Sequence, residues 1–487
     1  MIKPSELGTE ASSTDAAAGP RGLGQAGTWL LLAILLLATA LRVYKLGSWP
    51  VEQDEMYTLR DALRFGEQVN YLRPFYYLLQ SLLLEVLPAT PLALRLMPFV
   101  FGLAGVWLTW ELGRRVFGVT GGLVSAFLVT ISAWHLYASQ FARYWTLVYA
   151  LAALFYVALL HAVDTDRPRT YLLALATVLV GTLTHPSYVF PLVGVILAVQ
   201  LVSKDGQIRW TWPSRNAWLY LWGPLTFIAV AGFLFLLASG SLTGLRGSRG
   251  LSAGLRLVPA MVQWASPAVV AAAGVGMLYQ LLSSSGTDRR WGAVASLGCA
   301  AAVGLLLVAS LRKSVFADYG MAALPLIYVS AGGAIQRVAE RLGLGTRVFV
   351  AGAVLTLTAA VLPGTVSHML DGTRFDYRGV YRYVERVGGD HLVVAWPEAV
   401  KRFYAPELPF KPLRRDTTFL GATLRETSGF WLVASYRRYG MVLDDGSTER
   451  WVDNYCKPIL KTERQRLDYR NYRVELHWCG PGPAPGT

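Results

Sequence analysis

The chain has 487 residues, of which 54% are hydrophobic and only 16% charged, and its mean hydropathy of +0.39 excludes an ordinary soluble protein. A formal net charge of +14 does not mark a nucleic-acid binder, because the Lys and Arg fall in short clusters between apolar runs, where they set membrane topology. The three cysteines show none of the close Cys or Cys/His spacings of zinc or iron-sulfur sites.

In chain order, residues 1–27 are Ser, Thr, Ala and Gly with scattered charges, which predicts a disordered cytoplasmic tail. "TWLLLAILLLATALRVY" follows, and with no small-residue cleavage site after it the run reads as a retained span. A helical span needs about 20 mostly apolar residues. On that criterion eleven spans are expected, at 28–46, 92–112, 118–138, 143–163, 170–185, 187–203, 217–238, 259–282, 291–310, 318–336 and 348–366. With a cytoplasmic N-terminus, every cytoplasmic loop is basic: Arg114 and Arg115, Arg167 and Arg169, Lys204, Arg209 and Arg215, Arg289 and Arg290, and Arg337, Arg341 and Arg347.

The opposite face then receives the loop 47–91, the connections near Ser139 and His185, the Gly-rich "SGSLTGLRGSRGLSAGLR" and "LRKSVFADYG". In the first of these, "DEMYTLRDALRFGEQV" and "RPFYYLLQSLLLEVL" have the spacing of helices lying in the interface plane, which holds Asp54 at the membrane boundary. An ionised group there is costly to keep and is a functional candidate. Transmembrane residues 28–366 give way to an extracytoplasmic α/β domain at 367–487, where strand-like "HLVVAW", "FWLVASY" and "YRVELHW" alternate with helix-like "RGVYRYVERV" and "EAVKRFYA". Cys456 and Cys479 lie in this domain on the oxidising side and are a candidate disulfide.

Several segments, in order, carry a resemblance. "DEMY" follows the first span, then the Pro-aromatic "RPFYYLLQSLL", then "LRLMPFVFGLAGVWLTWELGRRVFG" ending in Gly-Arg-Arg-x-Phe-Gly, then "SAWHLYASQFARYWTL", "THPSYVF" and "FDYRGVYRYVER". In this the chain resembles the C-type glycosyltransferases (GT-C fold) of the bacterial family-39-like group, related to protein O-mannosyltransferases and to aminoarabinose transferases of lipid A. The resemblance implies an α-helical polytopic membrane protein of the bacterial cytoplasmic membrane. It also implies a reaction: transfer of a sugar from a polyprenyl-phosphate carrier to a lipid, glycan or protein acceptor on the outer face. Two positions depart from the family pattern: Phe141 stands where the family has Glu, and Arg73 where a His commonly precedes the Pro-aromatic helix. Both lost groups are candidate metal or substrate contacts, so the resemblance leaves a divalent metal open.

Such a reaction needs a base, positive charge for the departing phosphate and a groove for the isoprenoid. Asp54 matches the family's catalytic Asp, with Glu55 beside it; the alternative for Asp54 is a carboxylate that caps the helix starting at Glu55 or pairs with Arg60. Arg73, Arg143, Arg312 and Lys313 are outer-loop cations that topology does not require, and each is a candidate phosphate contact, lipid snorkelling being the alternative. His185 and His135, at outer ends of spans, are substrate or metal candidates or satisfied structural histidines. "YWTLVYALAALFY" and "WLYLWGPLTF" line the prenyl groove or simply pack, and the Gly-rich loop is a candidate lid whose Arg246 and Arg249 reach a phosphate. Two other classes fit the spans: a lipid-linked-substrate transporter or flippase, and an inactive GT-C scaffold of envelope assembly.

Overall fold

A computed structural model describes residues 24–67, 73–203, 205–228, 256–283, 285–311, 315–342, 346–387, 390–414, 416–435, 447–462 and 473–485. The expected tail, the Gly-rich lid with Arg246 and Arg249, and the pair Arg312 and Lys313 lie wholly or almost wholly outside the described residues.

The apolar runs form helices. Those preceding the sheet region are α1 (Gln25–Val43), α2 (Gln53–Leu63), α3 (Pro74–Val86), α4 (Pro91–Ile131), α5 (Ala133–Ser139), α6 (Trp145–Thr165), α7 (Pro168–Thr184), α8 (Val189–Leu201), α9 (Arg215–Ala217), α10 (Leu257–Ala265), α11 (Pro267–Leu281), α12 (Gly286–Ser310), α13 (Leu324–Leu342) and α14 (Thr346–Asp371). Among the described residues six helices are long and apolar enough to cross a membrane, and a seventh if α10 and α11, bent by 95°, count as one. The chain is therefore a multi-pass membrane protein. The expected runs 170–185 and 187–203 correspond to shorter apolar helices, and 217–238 leaves the described residues after 228.

The expected spans 92–112 and 118–138 fall largely in α4, which is not one straight helix. Gly118, with φ 86° and ψ −177°, breaks it in a conformation that only glycine adopts readily. The two arms then fold back on each other: a Cβ on Gly122 would meet the Trp110 carbonyl oxygen at 2.7 Å, and one on Gly113 would meet the Gly122 Cα at 2.9 Å. Glycine at both positions lets the backbones touch.

The bundle has two distinct ends. At one, Arg290 pairs with Asp164 at 2.9 Å, Arg337 with Asp288 at 2.8 Å, and Arg289 donates to the Gly206 carbonyl at 2.9 Å, so the basic loops gather on a single face. At the other lie α2, α3, the 140–144 connection, the His185 turn and the 3-10 helix Ala317–Ala323. Helix α6 runs between them and is mostly buried, whereas α1 is mostly exposed and peripheral.

Beyond α14 come α15 (Tyr377–Val387), β1 (Leu392–Ala395), α16 (Glu398–Tyr404), β2 (Phe410–Pro412), α17 (Thr417–Glu426), β3 (Phe430–Ser435), α18 (Ser447–Tyr455), β4 (Cys456–Thr462) and β5 (Val474–Cys479). The sheet order is β2-β1-β3-β5-β4, with β1 parallel to β2 and β3, and β5 antiparallel to β3 and β4. The three strands expected from pattern are β1, β3 and β5. The other two are short or strongly polar, and their period-2 signal is lost. Cys456 stands opposite Cys479 across the β4–β5 ladder and the two form a disulfide.

Helix α15 buries Tyr377, Val380, Tyr381 and Val384, a stripe at helical spacing. That stripe shares one core with Val51, Met56, Leu94, Ala142 and Trp431. The sheet domain thus rests on the loop that carries Asp54.

Candidate active site

Helix α2 starts at Gln53, two residues before the expected start at Glu55, because Glu52 caps it: Glu52 and Glu55 form a reciprocal capping box. Asp54 is thereby released from capping. It does not pair with Arg60 either, since Arg60 is bound to Asp61 at 2.7 Å. The Asp54 carboxylate is 26% exposed, and its charged neighbour is Arg143, whose Nη2 lies 3.9 Å from Oδ1.

Glu55, expected beside Asp54 as a catalytic group, is placed otherwise. Its oxygens accept from Arg95 Nε and Nη2 at 2.7 Å each, Arg374 Nη1 at 2.9 Å, the Ala142 N–H at 2.9 Å and the Glu52 N–H at 3.2 Å. No lone pair is left for a proton from an acceptor. Burial disfavours the charge, but Arg374 and Arg95, with hydrogen bonds from Arg95 and the Ala142 N–H, more than offset it and hold the carboxyl down at about 2. Consecutive helix residues point about 100° apart, so two adjacent carboxylates meet different surroundings: one open, one locked.

Arg143 reaches toward the open one. Its Nη1 lies 3.3 Å from the Tyr77 hydroxyl, 3.4 Å from the Asp54 carbonyl and 3.5 Å from Thr58 Oγ1, and its buried Nε has no partner among the described residues. Arg143 and Arg73 both lie over the Tyr144 ring, at 5.2 Å and 4.8 Å from its centroid. His185 stacks on the same ring at 4.9 Å and meets Tyr319 at 4.8 Å. Its Nδ1 accepts from the Ser187 N–H at 3.2 Å, which fixes the ring. Asp54, Arg73, Arg143 and His185 are therefore one cluster around Tyr144. His135 is not part of it: it is buried behind the site with Nδ1 2.8 Å from Arg42 Nη2.

A scaffold behind the cluster joins distant segments. Gln140 donates to the Leu41, Arg42 and Tyr44 carbonyls and accepts from Trp49 at 3.2 Å, and its carboxamide oxygen lies 2.9 Å from His368 Nε2. Arg374 bonds the Gln140 carbonyl, and the Phe375 N–H donates to Glu52 Oε1 at 2.9 Å. The loop after α1, the 140–144 connection and the exit from α14 are thus tied at one point.

Residues 73–236 match the family described as dolichyl-phosphate-mannose-protein mannosyltransferase. Two crystal structures of ArnT from Cupriavidus metallidurans, one apo and one bound to undecaprenyl phosphate, align over 94% of this chain. They align over 100% and 99% of their own length, with TM-scores of 0.55 and 0.54 at 14% and 13% identity. This chain has the GT-C fold. The oligosaccharyltransferase of Archaeoglobus fulgidus, in complex with Zn and sulfate, also aligns, over 88% of this chain and 71% of its own, with a TM-score of 0.51 at 14% identity. No curated protein matches the sequence.

Within this GT-C frame, a metal centre finds no donor set: among the described residues no three His, Cys, Asp or Glu side chains group to hold an ion. Phe141 is buried, stacked on Tyr137 at 4.9 Å with the Arg374 guanidinium 5.2 Å from its ring. An aromatic face and a guanidinium occupy that place, and Arg73 adds a second cation, so the described residues there do not fit a divalent cation. Sequence reading did not single out Tyr77, Thr58 and Tyr319, which carry no charge pattern, and placed Tyr144 only within the aromatic run offered for the prenyl groove. It also missed Arg95, although an Arg inside the apolar "PLALRLMPF" is a signal for a buried partner.

Proposed function

We propose that this protein is a membrane glycosyltransferase that moves a sugar from a polyprenyl-phosphate carrier to an acceptor at the outer face of the bacterial cytoplasmic membrane, its N-terminus cytoplasmic and its sheet domain outside. The observation that carries the reading is the separation of the two carboxylates: Glu55 is consumed by Arg95 and Arg374, while Asp54 is open beside Arg143. The undecaprenyl phosphate held by one of the ArnT structures supports the carrier class, and the basic loops gathered at the opposite end support the orientation.

Asp54 takes the proton of the acceptor hydroxyl as its oxygen attacks the anomeric carbon. The bond from that carbon to the phosphate oxygen breaks, and the electron pair leaves with the polyprenyl phosphate. Arg143, backed by Arg73, stabilises the charge developing there. An Arg fork binds two phosphate oxygens at once, and the Nε of Arg143, buried and without a partner among the described residues, is a donor open to an acceptor. His185 and Tyr144 form the aromatic wall against which the sugar or phosphate sits.

The purified protein, supplied with polyprenyl-phosphate sugars and extracted envelope lipids and proteins, is expected to release polyprenyl phosphate, and Asp54→Asn to abolish that release. Substrate movement across vesicles that persists in Asp54→Asn would favour a carrier instead.

A further inference from the structure

A cavity of about 330 Å³ is lined by Gly47, Val51, Arg378, Arg382, Glu385 and Tyr404 among others, and Asp54 is not among its lining residues. Pro91, the first residue of α4, also borders it, and Gly47 follows the end of α1. The cavity therefore opens at the level where two apolar helices leave the hydrocarbon. Below it the surface is apolar: Leu92, in contact distance of Gly47, is 48% exposed, with Val43 and Tyr44 exposed beside it.

Arg378, Arg382 and Glu385 stand at i, i+4 and i+7 of α15, on one helix face over about 10 Å. Arg378 donates to the Ser48 carbonyl at 2.6 Å, which places the N-terminal end of that face nearest the membrane. Arg382 and Glu385 are exposed on the helix and form no ion pair with each other or with another described residue. Two cations nearest the hydrocarbon and a carboxylate farther out form an ordered charge pattern. A phosphate alone suits the arginines, but Glu385 would repel it. A headgroup with a phosphate near the glycerol and a primary ammonium beyond it satisfies all three groups in the order they occur.

We propose that this cavity holds the headgroup of a zwitterionic aminophospholipid, its phosphate on Arg378 and Arg382 and its ammonium on Glu385. The Tyr404 hydroxyl in the cavity wall accepts from the Val51 N–H at 2.5 Å, three residues before Asp54. The bound lipid thus braces the segment that carries the site. The proposal stands on this cavity alone and does not depend on the transfer reaction.

The test uses the purified full-length protein in native mass spectrometry, titrated with phosphatidylethanolamine, with phosphatidylglycerol and with water-soluble phosphoethanolamine. Expected are one phosphatidylethanolamine bound at least tenfold more tightly than phosphatidylglycerol, a tenfold or greater loss in Arg382→Ala, and loss of the preference in Glu385→Gln. Both substituted side chains are exposed, and unchanged thermal melting confirms that each variant is folded. Equal or tighter binding of phosphatidylglycerol by the wild type overturns the proposal. So does unchanged phosphatidylethanolamine binding in Arg382→Ala, and so does phosphoethanolamine binding as tightly as the lipid, which would assign the cavity to a soluble ligand.

Discussion

Glu55 Oε1 accepts a hydrogen bond from the Ala142 N–H at 2.9 Å. The next residue in one segment is Arg143 and the preceding one in the other is Asp54, so this bond between neighbours holds Asp54 and Arg143 near each other. The same carboxylate binds Arg95 at the start of α4 and Arg374 beyond α14. Helices far apart in sequence are thereby registered on the site.

Glu55→Gln is expected to destabilise the protein by about 3–5 kcal/mol, because it strands two buried guanidinium groups with one neutral partner. Thermal melting in detergent checks this, and a melting curve unchanged from wild type would remove Glu55 from the scaffold.

The same group gives a pH dependence. The Glu55 carboxyl is held at about 2 against an ordinary 4.5, so its contribution is fully present above about pH 4.5 and is lost as the pH falls toward 2. That contribution is on the order of 3 kcal/mol. The wild type should lose stability more steeply than Glu55→Gln between pH 5 and pH 3, and parallel curves would contradict it.

Asp54→Asn keeps shape and removes basicity. Turnover should fall at least 100-fold, the lower limit for a well-placed general base, while carrier binding and melting stay near wild type. A variant within about tenfold of wild-type turnover would assign the proton transfer to another group.

Much of this was legible in the sequence, and the rest failed for physical reasons. Hydropathy located the apolar runs, and the Asp54 loop was marked by charge at a membrane boundary. The hairpin at Gly118 was visible only as a charged, glycine-bearing interruption between runs. Asp54 and Glu55 could not be told apart, because what separates them is Arg374, 319 residues away from Glu55 in the chain. Arg143 was legible as a cation without a topological role, but Tyr144, the ring on which Arg73, Arg143 and His185 converge, looked like one aromatic among many. β4 was hidden by its exposed Lys457, Pro458 and Lys461.

Arg143 offers a test of geometry against charge. Arg143→Lys keeps the cation and loses the fork, so affinity for the lipid phosphate should fall in Arg143→Ala more than in Arg143→Lys, with both below wild type. Wild-type affinity in both variants would leave Arg143 as a packing residue over Tyr144.

The orientation has its own test. A reporter active only outside the cytoplasm should be active when fused after Thr487 and silent when fused after Arg290, which lies among the gathered basic loops. The Cys456–Cys479 bridge gives an independent test of the proposed orientation, because disulfides persist on the oxidising side of the membrane. Intact-mass analysis after alkylation without reductant should find both thiols of the sheet domain blocked from labelling in protein taken directly from cells. Two labelled thiols together with a silent C-terminal reporter would place the sheet domain inside, and with it Asp54, Arg143 and the reaction proposed for them. A labelled pair with an active reporter would instead show an outer domain whose bridge does not form in the cell, leaving the position of the site unchanged.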